Sequence, residues 1–427
     1  MTKLKIVAVL LFAVGVLALG VVGFRSRSNA VASSAEAPTL SKVDRRIVRA
    51  MQAIEQMPTR SEGYNQLASA YMQKARETAD FDLNQKADAA IAQSLTVEPD
   101  NYDALKLRAQ IELTYHRFAE ALATARRAQN FRSDDHDVLG QITDALVELG
   151  DYPGAVNAAQ QMVDMRPDAA SYARVSYLRS LYGDTEGAIQ TMVAAVKAAN
   201  PNDREGIAWY RVHLGNELMN AGRLDAAERE FDEALRTFAD HPLALRSKAH
   251  ARVAAGDVQG AIQICKREGD SADAAQMLGD LYTMLGQRDA AQREYEKFET
   301  LEQENAARER SWRHMINYWL DHDRNLEKSL KLAEQEYEQR KDIFTCDSLA
   351  WALFKNGRVS EAKKFISEAL RTGTKDARIN YHAGIIYETL KLRDKAARHL
   401  RLAAALNSSF DPLQSQSAKK RLAELAR

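Results

Sequence analysis

The sequence predicts an all-α protein, built as a solenoid of about ten stacked helix pairs. Apolar and small residues recur at the three- and four-residue spacing of a helix with one buried face. All eight prolines fall at expected helix boundaries, in first turns or in the N-terminal segment 25–38. This placement is informative because a proline inside a helix costs about 3 kcal/mol. A small residue also recurs in every second helix, at Ala87, Ala121, Ala155, Ala188, Ala227, Ala261, Ala291, Ser329, Ala362 and Ala396.

The clearest copy of the repeat runs from Trp209 to Pro242, where two amphipathic segments flank the turn at Gly222. Its pattern is Leu-Gly-x-x-Leu, then Gly-x-Leu-x-x-Ala, then Phe-x-x-Ala, closed by proline. The pattern resembles the tetratricopeptide repeat, a helix-turn-helix unit of about 34 residues. The resemblance implies a right-handed superhelical solenoid. It also implies that the first helix of each repeat lines a concave groove for peptides or partner helices.

Composition excludes some functions and leaves others open. Lys+Arg and Asp+Glu are both 59, so the net charge is zero, which argues against a nucleic-acid-binding protein. The two cysteines, Cys265 and Cys346, lie at core-facing helix positions about two and a half repeats apart, a separation that does not favour a disulfide.

The N-terminus contains an uncharged apolar run at residues 6–24, long enough to cross a bilayer core. It exceeds the roughly 7–15 apolar residues of a signal-peptide core, which favours a retained single-pass anchor in the cytoplasmic membrane. The alternative is a signal peptide cut after Ala30-Val31-Ala32, which would release a soluble exported protein. Basic residues are nearly balanced across the run, so orientation stays open. We expect the repeats on the periplasmic side, in a bacterial envelope assembly.

The remaining chain divides by the same patterns. After the anchor or uncleaved signal (1–24) come a flexible tether (25–38), a lid helix (39–57), the repeats (58–410) and a capping helix (411–427). Within the repeats, the second helix of the sixth copy ends early at Gly269-Asp270, and charged residues 299–310 extend the seventh copy. The eighth copy diverges most, because residues 321–325 replace the glycine turn.

The sequence contains no HExxH, CxxC, GxSxG or phosphate-loop motif. His314, His322 and Asp323 lie close together, and the favoured interpretation is a polar turn with a capping role. The alternative is an enzyme or ligand sensor that uses the eighth repeat. We predict no catalytic residues, no cofactor, no metal and no small-molecule substrate.

The family resemblance places the groove residues one turn away from each buried stripe. Asn216 and Asn220 lie one turn apart, and amides can bond both C=O and N–H of a peptide backbone. Aromatic residues are frequent in the C-terminal half and are favoured interface anchors; alternatively, Tyr318 and Trp351 pack between repeats. The predicted partner-binding residues are Tyr177, Trp209, Asn216, Asn220, Arg246, His250, Tyr318, Asp347, Trp351 and Tyr381. Further groove positions are Lys106, Asp144, Asp280, His314, Phe344 and Phe354. Lys106 lacks the matching asparagine of carboxylate-clamping family members, so a chaperone-tail receptor is not favoured.

Together these patterns predict a membrane-tethered, non-enzymatic scaffold that binds a protein or peptide partner in a concave groove.

Overall fold

The computed structural model describes residues 40–78, 80–309, 311–407 and 411–425. The chain divides into two units, Met1–Ser41 and Lys42–Arg427. Every regular element in the described ranges is helical. The predicted anchor at 6–24 and the tether at 25–38 lie outside the described residues. Within the described ranges, no helix combines the length and apolar character that a bilayer crossing requires.

The described residues of the unit that begins at Lys42 form 22 helices. Their bounds are α1 Lys42–Gln56, α2 Ser61–Thr78, α3 Asp82–Val97, α4 Tyr102–Thr114, α5 Phe118–Phe131, α6 His136–Glu148, α7 Tyr152–Met165, α8 Ala169–Leu181, α9 Thr185–Ala198, α10 Arg204–Asn220, α11 Leu224–Thr237, α12 Pro242–Ala254, α13 Val258–Glu268, α14 Ala272–Met284, α15 Arg288–Glu309, α16 Arg313–Asp321, α17 Leu326–Gln339, α18 Ile343–Lys355, α19 Val359–Ala369, α20 Ala377–Thr389, α21 Arg393–Leu406 and α22 Gln414–Leu425.

Helices α2 to α21 form ten consecutive antiparallel pairs, with α1 packed on the first pair and α22 on the last. First helices of neighbouring pairs contact each other along most of the unit, for example α8 with α10 and α10 with α12. Second helices of neighbouring pairs do not contact each other to a comparable extent. The stack therefore curves with the first helices on the concave side, and we call α2, α4 and so on to α20 the inner helices.

The recurring small residues allow the two helices of each pair to approach closely. Nine of the ten, Ser329 included, are completely buried, and Ala291 is 4% exposed. The glycine that follows the leucine in the Leu-Gly pattern has a similar role, since a Cβ at Gly215 would lie 2.3 Å from the Phe231 ring. The Leu-Gly and Phe-x-x-Ala elements of the sequence pattern are thus two sides of one contact.

Aspartates begin many of the helices. Asp151, Asp184 and Asp257 each accept a hydrogen bond from the backbone N–H of a glycine three residues later, at 2.8–3.0 Å. This bond satisfies one of the donors that the first helical turn leaves unpaired. The repeated Gly-Asp turn therefore ends one helix and begins the next within three residues.

Turns of early pairs contact the linkers of late pairs, and we call this contact the seam. It joins residues 148–152 and 182–184 to residues 340–343 and 371–375. The backbone N–H of Lys341 donates to the Glu148 carbonyl at 3.0 Å, and the N–H of Ile343 donates to the Tyr152 hydroxyl at 2.9 Å. The curvature thus brings the third pair back beside the linker between the eighth and ninth pairs.

The seam is polar at its edge and tightly packed. Arg340, only 3% exposed, forms ion pairs with Glu148 and with Asp342. A Cβ at Gly150 would lie 2.5 Å from the Lys341 carbonyl oxygen. One apolar cluster continues through the contact, from Leu146 on the early side to residues of α18 on the late side. Coils of the stack are therefore bonded to each other as well as to their neighbours in sequence.

Most predicted details of the stack are confirmed. Helix α13 ends at Glu268 before Gly269, which has a φ of 88°, and α15 continues for 22 residues. Both cysteines are buried and unpaired. Among the described residues, α1 spans 42–56 of the predicted lid segment 39–57, and α22 spans 414–425 of the predicted capping segment 411–427.

Candidate functional site

Six of the ten predicted partner-binding residues lie on α8, α10 and α12 with accessible side chains. Tyr177 is 41% exposed, Asn220 and His250 are exposed, and Trp209, Asn216 and Arg246 are partly exposed. These six residues lie on the inner surface of the fourth, fifth and sixth pairs, which we call the middle groove.

Helix α10 is the centre of the middle groove. It begins where Asp203 accepts a hydrogen bond from the N–H of Gly206 at 3.0 Å. Val212 and Leu218 on one face are buried, which leaves the opposite face to the groove. On that face the Trp209 and His213 rings lie 3.9 Å apart between centroids.

Two amides follow the ring pair on α10. The side chains of Asn216 and Asn220 make no hydrogen bond with any other described residue. Each amide offers one acceptor and two donors, which is the complement of a peptide group. This part of the groove can therefore bond an extended backbone without first breaking internal hydrogen bonds.

Charge in the middle groove is reduced by desolvation. Burial raises the pKa of the Glu217 carboxyl to about 7, although the Ser180 hydroxyl donates a hydrogen bond of 3.0 Å to it. Burial lowers the pKa of the His213 imidazole to about 4, and the nearby His241 adds to that shift. At neutral pH the histidine is uncharged and the carboxyl is partly protonated.

The other four predicted residues lie in the interior of the C-terminal half rather than on the groove. Tyr318 is completely buried, Trp351 is 4% exposed, Asp347 is 5% exposed and Tyr381 is 6% exposed. Their inner helices α16, α18 and α20 therefore present fewer of these side chains to a partner than the sequence predicts.

Trp351 is held on both faces and at its edge. Its ring stacks on His382 at 4.2 Å and on Phe354 at 5.0 Å, and its Nε1–H donates to Asp321 at 3.1 Å. Asp347 in turn bonds the His382 Nδ1 at 2.9 Å. The alternative prediction, that this tryptophan packs between repeats, describes its position.

Tyr318 and Tyr381 are also held by neighbouring elements. The Tyr318 ring lies 4.6 Å from Phe298, and its hydroxyl accepts from Arg324 at 2.8 Å. The Tyr381 hydroxyl lies 3.3 Å from the Ser417 hydroxyl of α22.

Sequence reasoning missed a charged network on α16, α20 and the chain after α21. The Arg378 guanidinium bridges Asp321 and Asp411, at 2.9 Å to each, and Gln414 also donates to Asp321. The spacing of helical apolar residues does not identify these pairs, because Arg378 lies 57 residues from Asp321 and 33 residues from Asp411 in the sequence. The network occupies polar groups that the C-terminal inner surface would otherwise offer to a partner.

The catalytic alternative depended on His314, His322 and Asp323, which the structure does not bring together. The His314 side chain is 57% exposed, and its nearest acid is Asp273 at 3.7 Å. His322 bonds Asp280 at 3.2 Å, and Asp323 forms an ion pair with Lys355 at 2.6 Å. Each of the three residues thus contacts a different partner, as expected for a polar turn.

The further groove positions predicted in the first pairs form ion pairs within the stack. Lys106 contacts Asp135 at 2.7 Å and Asp137 at 2.8 Å, and Asp144 contacts Arg174 at 2.6 Å. At the other positions, Asp280 is buried, and Phe344 and Phe354 are partly buried.

Asp135, His136 and Asp137 place three possible metal-ligand atoms close together. Those atoms already have partners. Lys106 contacts both carboxylates, and the His136 Nε2 lies 2.9 Å from Asp168. The cluster is thus an ion-pair network between the second, third and fourth pairs.

Comparison with known families gives two kinds of match within the repeats. One tetratricopeptide-repeat model matches residues 143–204 and 213–275, and a second matches residues 272–305. These matches confirm tetratricopeptide repeats in this part of the chain, and they cover the middle groove except for residues 205–212 of α10. A search of curated protein sequences returns no match.

Comparison with solved structures gives three examples of chains that are similar to this one. The APC/C hetero-tetramer Cut9-Hcn1 has a TM-score of 0.47 and 15% identity, over 90% of this chain and 67% of that chain. YrrB, described as a TPR protein with an unusual peptide-binding site, has a TM-score of 0.28 and 18% identity, over 47% and 97%. Naa15/Naa10 bound to HypK-THB has a TM-score of 0.29 and 14% identity, over 90% and 65%. These scores are too low to support any inference about what this chain binds.

Proposed function

We propose that this chain is a non-enzymatic scaffold whose middle groove binds an extended segment of a protein partner. The observation that carries the proposal is the position of the six accessible predicted residues. They lie on three consecutive inner helices, α8, α10 and α12. Five of them fall within the residues that match the tetratricopeptide-repeat model, and Trp209 lies in the short gap between its two matches.

The middle groove has the features that binding of a peptide backbone requires. Asn216 and Asn220 supply unoccupied donors and acceptors, while Tyr177 and Trp209 supply amphipathic rings on neighbouring helices. Tyrosine and tryptophan are enriched among residues that dominate binding energy. Because the helices are fixed by packing, these groups are positioned before a partner arrives, which reduces the entropic cost of binding.

Site-specific photocrosslinking in cells tests the groove. A photoreactive amino acid replaces Tyr177 in the full chain, and a control chain carries it at Phe131, which is 50% exposed at the end of the outer helix α5. We expect a discrete partner adduct at position 177 alone.

The double substitution Asn216→Ala and Asn220→Ala should remove that adduct. The matched control is Asn157→Ala with Gln161→Ala, two amides one turn apart on the outer helix α7. The proposal is wrong if the adduct forms equally at both crosslinking positions, or if the Asn216/Asn220 variant retains it.

We further propose that residues 6–24 tether this scaffold to the cytoplasmic membrane, with the repeats on the periplasmic side of a bacterial envelope. The support for the tether is the length of the uncharged run. The flanking basic residues are nearly balanced and favour neither orientation. N-terminal sequencing of the mature protein distinguishes the tether from its alternative. A terminus at Met1 or Thr2 in carbonate-resistant membranes supports the tether, whereas a terminus at Ser33 establishes the exported soluble form.

The orientation has its own test. In osmotically opened cells with an intact inner membrane, added protease should digest the repeats. Protection until the membrane is dissolved would place them on the cytoplasmic side.

A further inference from the structure

The basic residues of the middle groove are neutralised within the stack. Every lysine and arginine on α8, α10 and α12 except Arg204 lies within ion-pair distance of a carboxylate. The pairs are Arg174 with Asp144, Arg179 with Asp184, Arg211 with Glu230, Arg246 with Glu268 and Asp273, Lys248 with Asp232, and Arg252 with Glu228 and Asp257. Arg204 donates instead to the Thr237 carbonyl at 2.8 Å.

The acidic residues of the same helices are equally occupied. Helices α8 and α12 carry no aspartate or glutamate, and α10 carries Glu205 and Glu217. Glu205 is 8% exposed and lies 3.5 Å from Arg76, while Glu217 accepts from Ser180. With the pKa of Glu217 raised to about 7, its carboxyl is partly neutral at physiological pH.

A charged peptide would therefore have to displace a partner that is already in place. Arg246 shows the difficulty, because its guanidinium contacts Glu268 at 2.9 Å and Asp273 at 2.7 Å. A peptide carboxylate that approaches this arginine also approaches both acids. Repulsion between like charges disfavours such a ligand, and the remaining unoccupied groups are uncharged amides, rings and hydroxyls.

We infer that the segment bound by the middle groove is an extended peptide without net charge, recognised through its backbone and through aromatic or small polar side chains. This inference rests on the proposed function, since it names the class of partner for the same groove.

The experiment selects ligands from an unbiased peptide library displayed on phage, with the detergent-solubilised full chain as bait. Dissociation constants of enriched peptides are then measured between about 50 mM and about 500 mM NaCl, a range that screens exposed charge pairs. We expect enriched peptides with a net charge near zero, whose affinity changes less than about twofold over that range. The Asn216→Ala and Asn220→Ala variant should lose them.

Other outcomes separate this inference from the proposed function. Enrichment of acidic or basic peptides that weaken about tenfold with salt, and that depend on Asn216 and Asn220, would overturn the inference and leave the groove assignment standing. Enriched peptides that bind the double variant unchanged would overturn the groove assignment, and the inference with it. The absence of any enriched peptide would do the same.

A single substitution provides a sensitive control. Arg246→Ala removes the cation shared by Glu268 and Asp273, so the groove gains negative charge beside His250. We expect this variant to bind a peptide with two lysines at least about fivefold more tightly than the parent chain at about 50 mM NaCl, and to lose that gain at about 500 mM. Unchanged preference for the two-lysine peptide would show that ion pairing does not set the selectivity of the groove.

Discussion

Trp209 and Trp351 both lie on inner helices, yet their surroundings differ. Trp351 is 4% exposed, is stacked on two rings and donates to Asp321. Trp209 is partly exposed and contacts the tilted ring of His213 within its own helix. The same contrast separates Asp347, which is bonded to His382, from Asn216, which has no side-chain hydrogen bond among the described residues.

The difference comes from what lies next to each set of inner helices. Beyond α21, Asp411 accepts from Arg378 of α20 and Gln414 donates to Asp321 of α16, and these bonds occupy polar groups of both inner helices. No comparable segment supplies hydrogen bonds to Asn216 and Asn220 in the described part of the chain. A binding surface in a curved stack therefore cannot be identified from residue type alone, because segments that are distant in sequence can cover the side chains.

The largest expected effect is on stability in the C-terminal half. Trp351→Ala should lower the free energy of unfolding by about 3–5 kcal/mol, because it leaves a cavity beside His382 and removes the hydrogen bond to Asp321. Trp209→Ala should cost about 1 kcal/mol, since that ring is already partly in water. Urea denaturation followed by circular dichroism measures both, and equal losses would remove the distinction between the two regions.

The seam, which joins the third and fourth pairs to the C-terminal half, is tested by a matched pair of glycines. Gly150 and Gly256 have φ angles of 79° and 80°, and either alanine variant incurs roughly 1–2 kcal/mol for that conformation. A Cβ at Gly256 meets nothing within 4 Å, whereas one at Gly150 would lie 2.5 Å from the Lys341 carbonyl oxygen. Gly150→Ala should therefore lose about 1 kcal/mol more than Gly256→Ala and show faster amide exchange at Lys341 and Ile343. Identical stability and exchange would show that the seam does not hold the coils together.

The middle groove should respond to pH through Glu217. The folded-state pKa is raised to about 7, so the protonated form stabilises the fold at pH values below the ordinary range near 4.5, and that contribution is lost as pH rises through about 7. The parent chain should thus gain on the order of 1 kcal/mol relative to Glu217→Gln between about pH 8 and about pH 5, after allowance for partial exposure. If the free energy of unfolding of the parent chain and of Glu217→Gln changed with pH in parallel, the raised pKa of this carboxyl would be contradicted.

The smallest stability effect is expected where the binding effect is greatest. Asn216→Ala and Asn220→Ala together should change the free energy of unfolding by less than about 0.5 kcal/mol, because neither amide bonds another described residue. Thermal and urea unfolding check this value. A loss of about 2 kcal/mol would mean that the amides support the fold, and the groove would then need another basis.

Local sequence patterns predicted the parts of this molecule that depend on near neighbours. The small residue of each second helix, the proline positions and the short α13 all follow from contacts within one or two pairs. The placement of Tyr177, Asn216 and Asn220 on an accessible surface also follows, since their neighbours in sequence are their neighbours in space.

The burial of Tyr381 could not be predicted in the same way, and the sequence left the burial of Trp351 as one of two alternatives. Helical periodicity identifies which face of a helix turns inward, but it does not report a segment that later covers that face. Asp321 meets Gln414 across 93 residues, and Arg340 meets Glu148 across 192 residues. These contacts form because small rotations between successive pairs add up to the superhelical curvature. Individual residues in the sequence do not specify those rotations.

The seam also determines how this stack would respond to a pulling force. An open solenoid extends under low tension like a soft spring, because each coil is joined only to the next pair. Here the bonds from Lys341 to Glu148 and from Ile343 to Tyr152 connect successive coils directly. Tension applied between Lys42 and Leu425 would load those bonds first, so the stack behaves as a stiff rod until they rupture and as a compliant one afterwards.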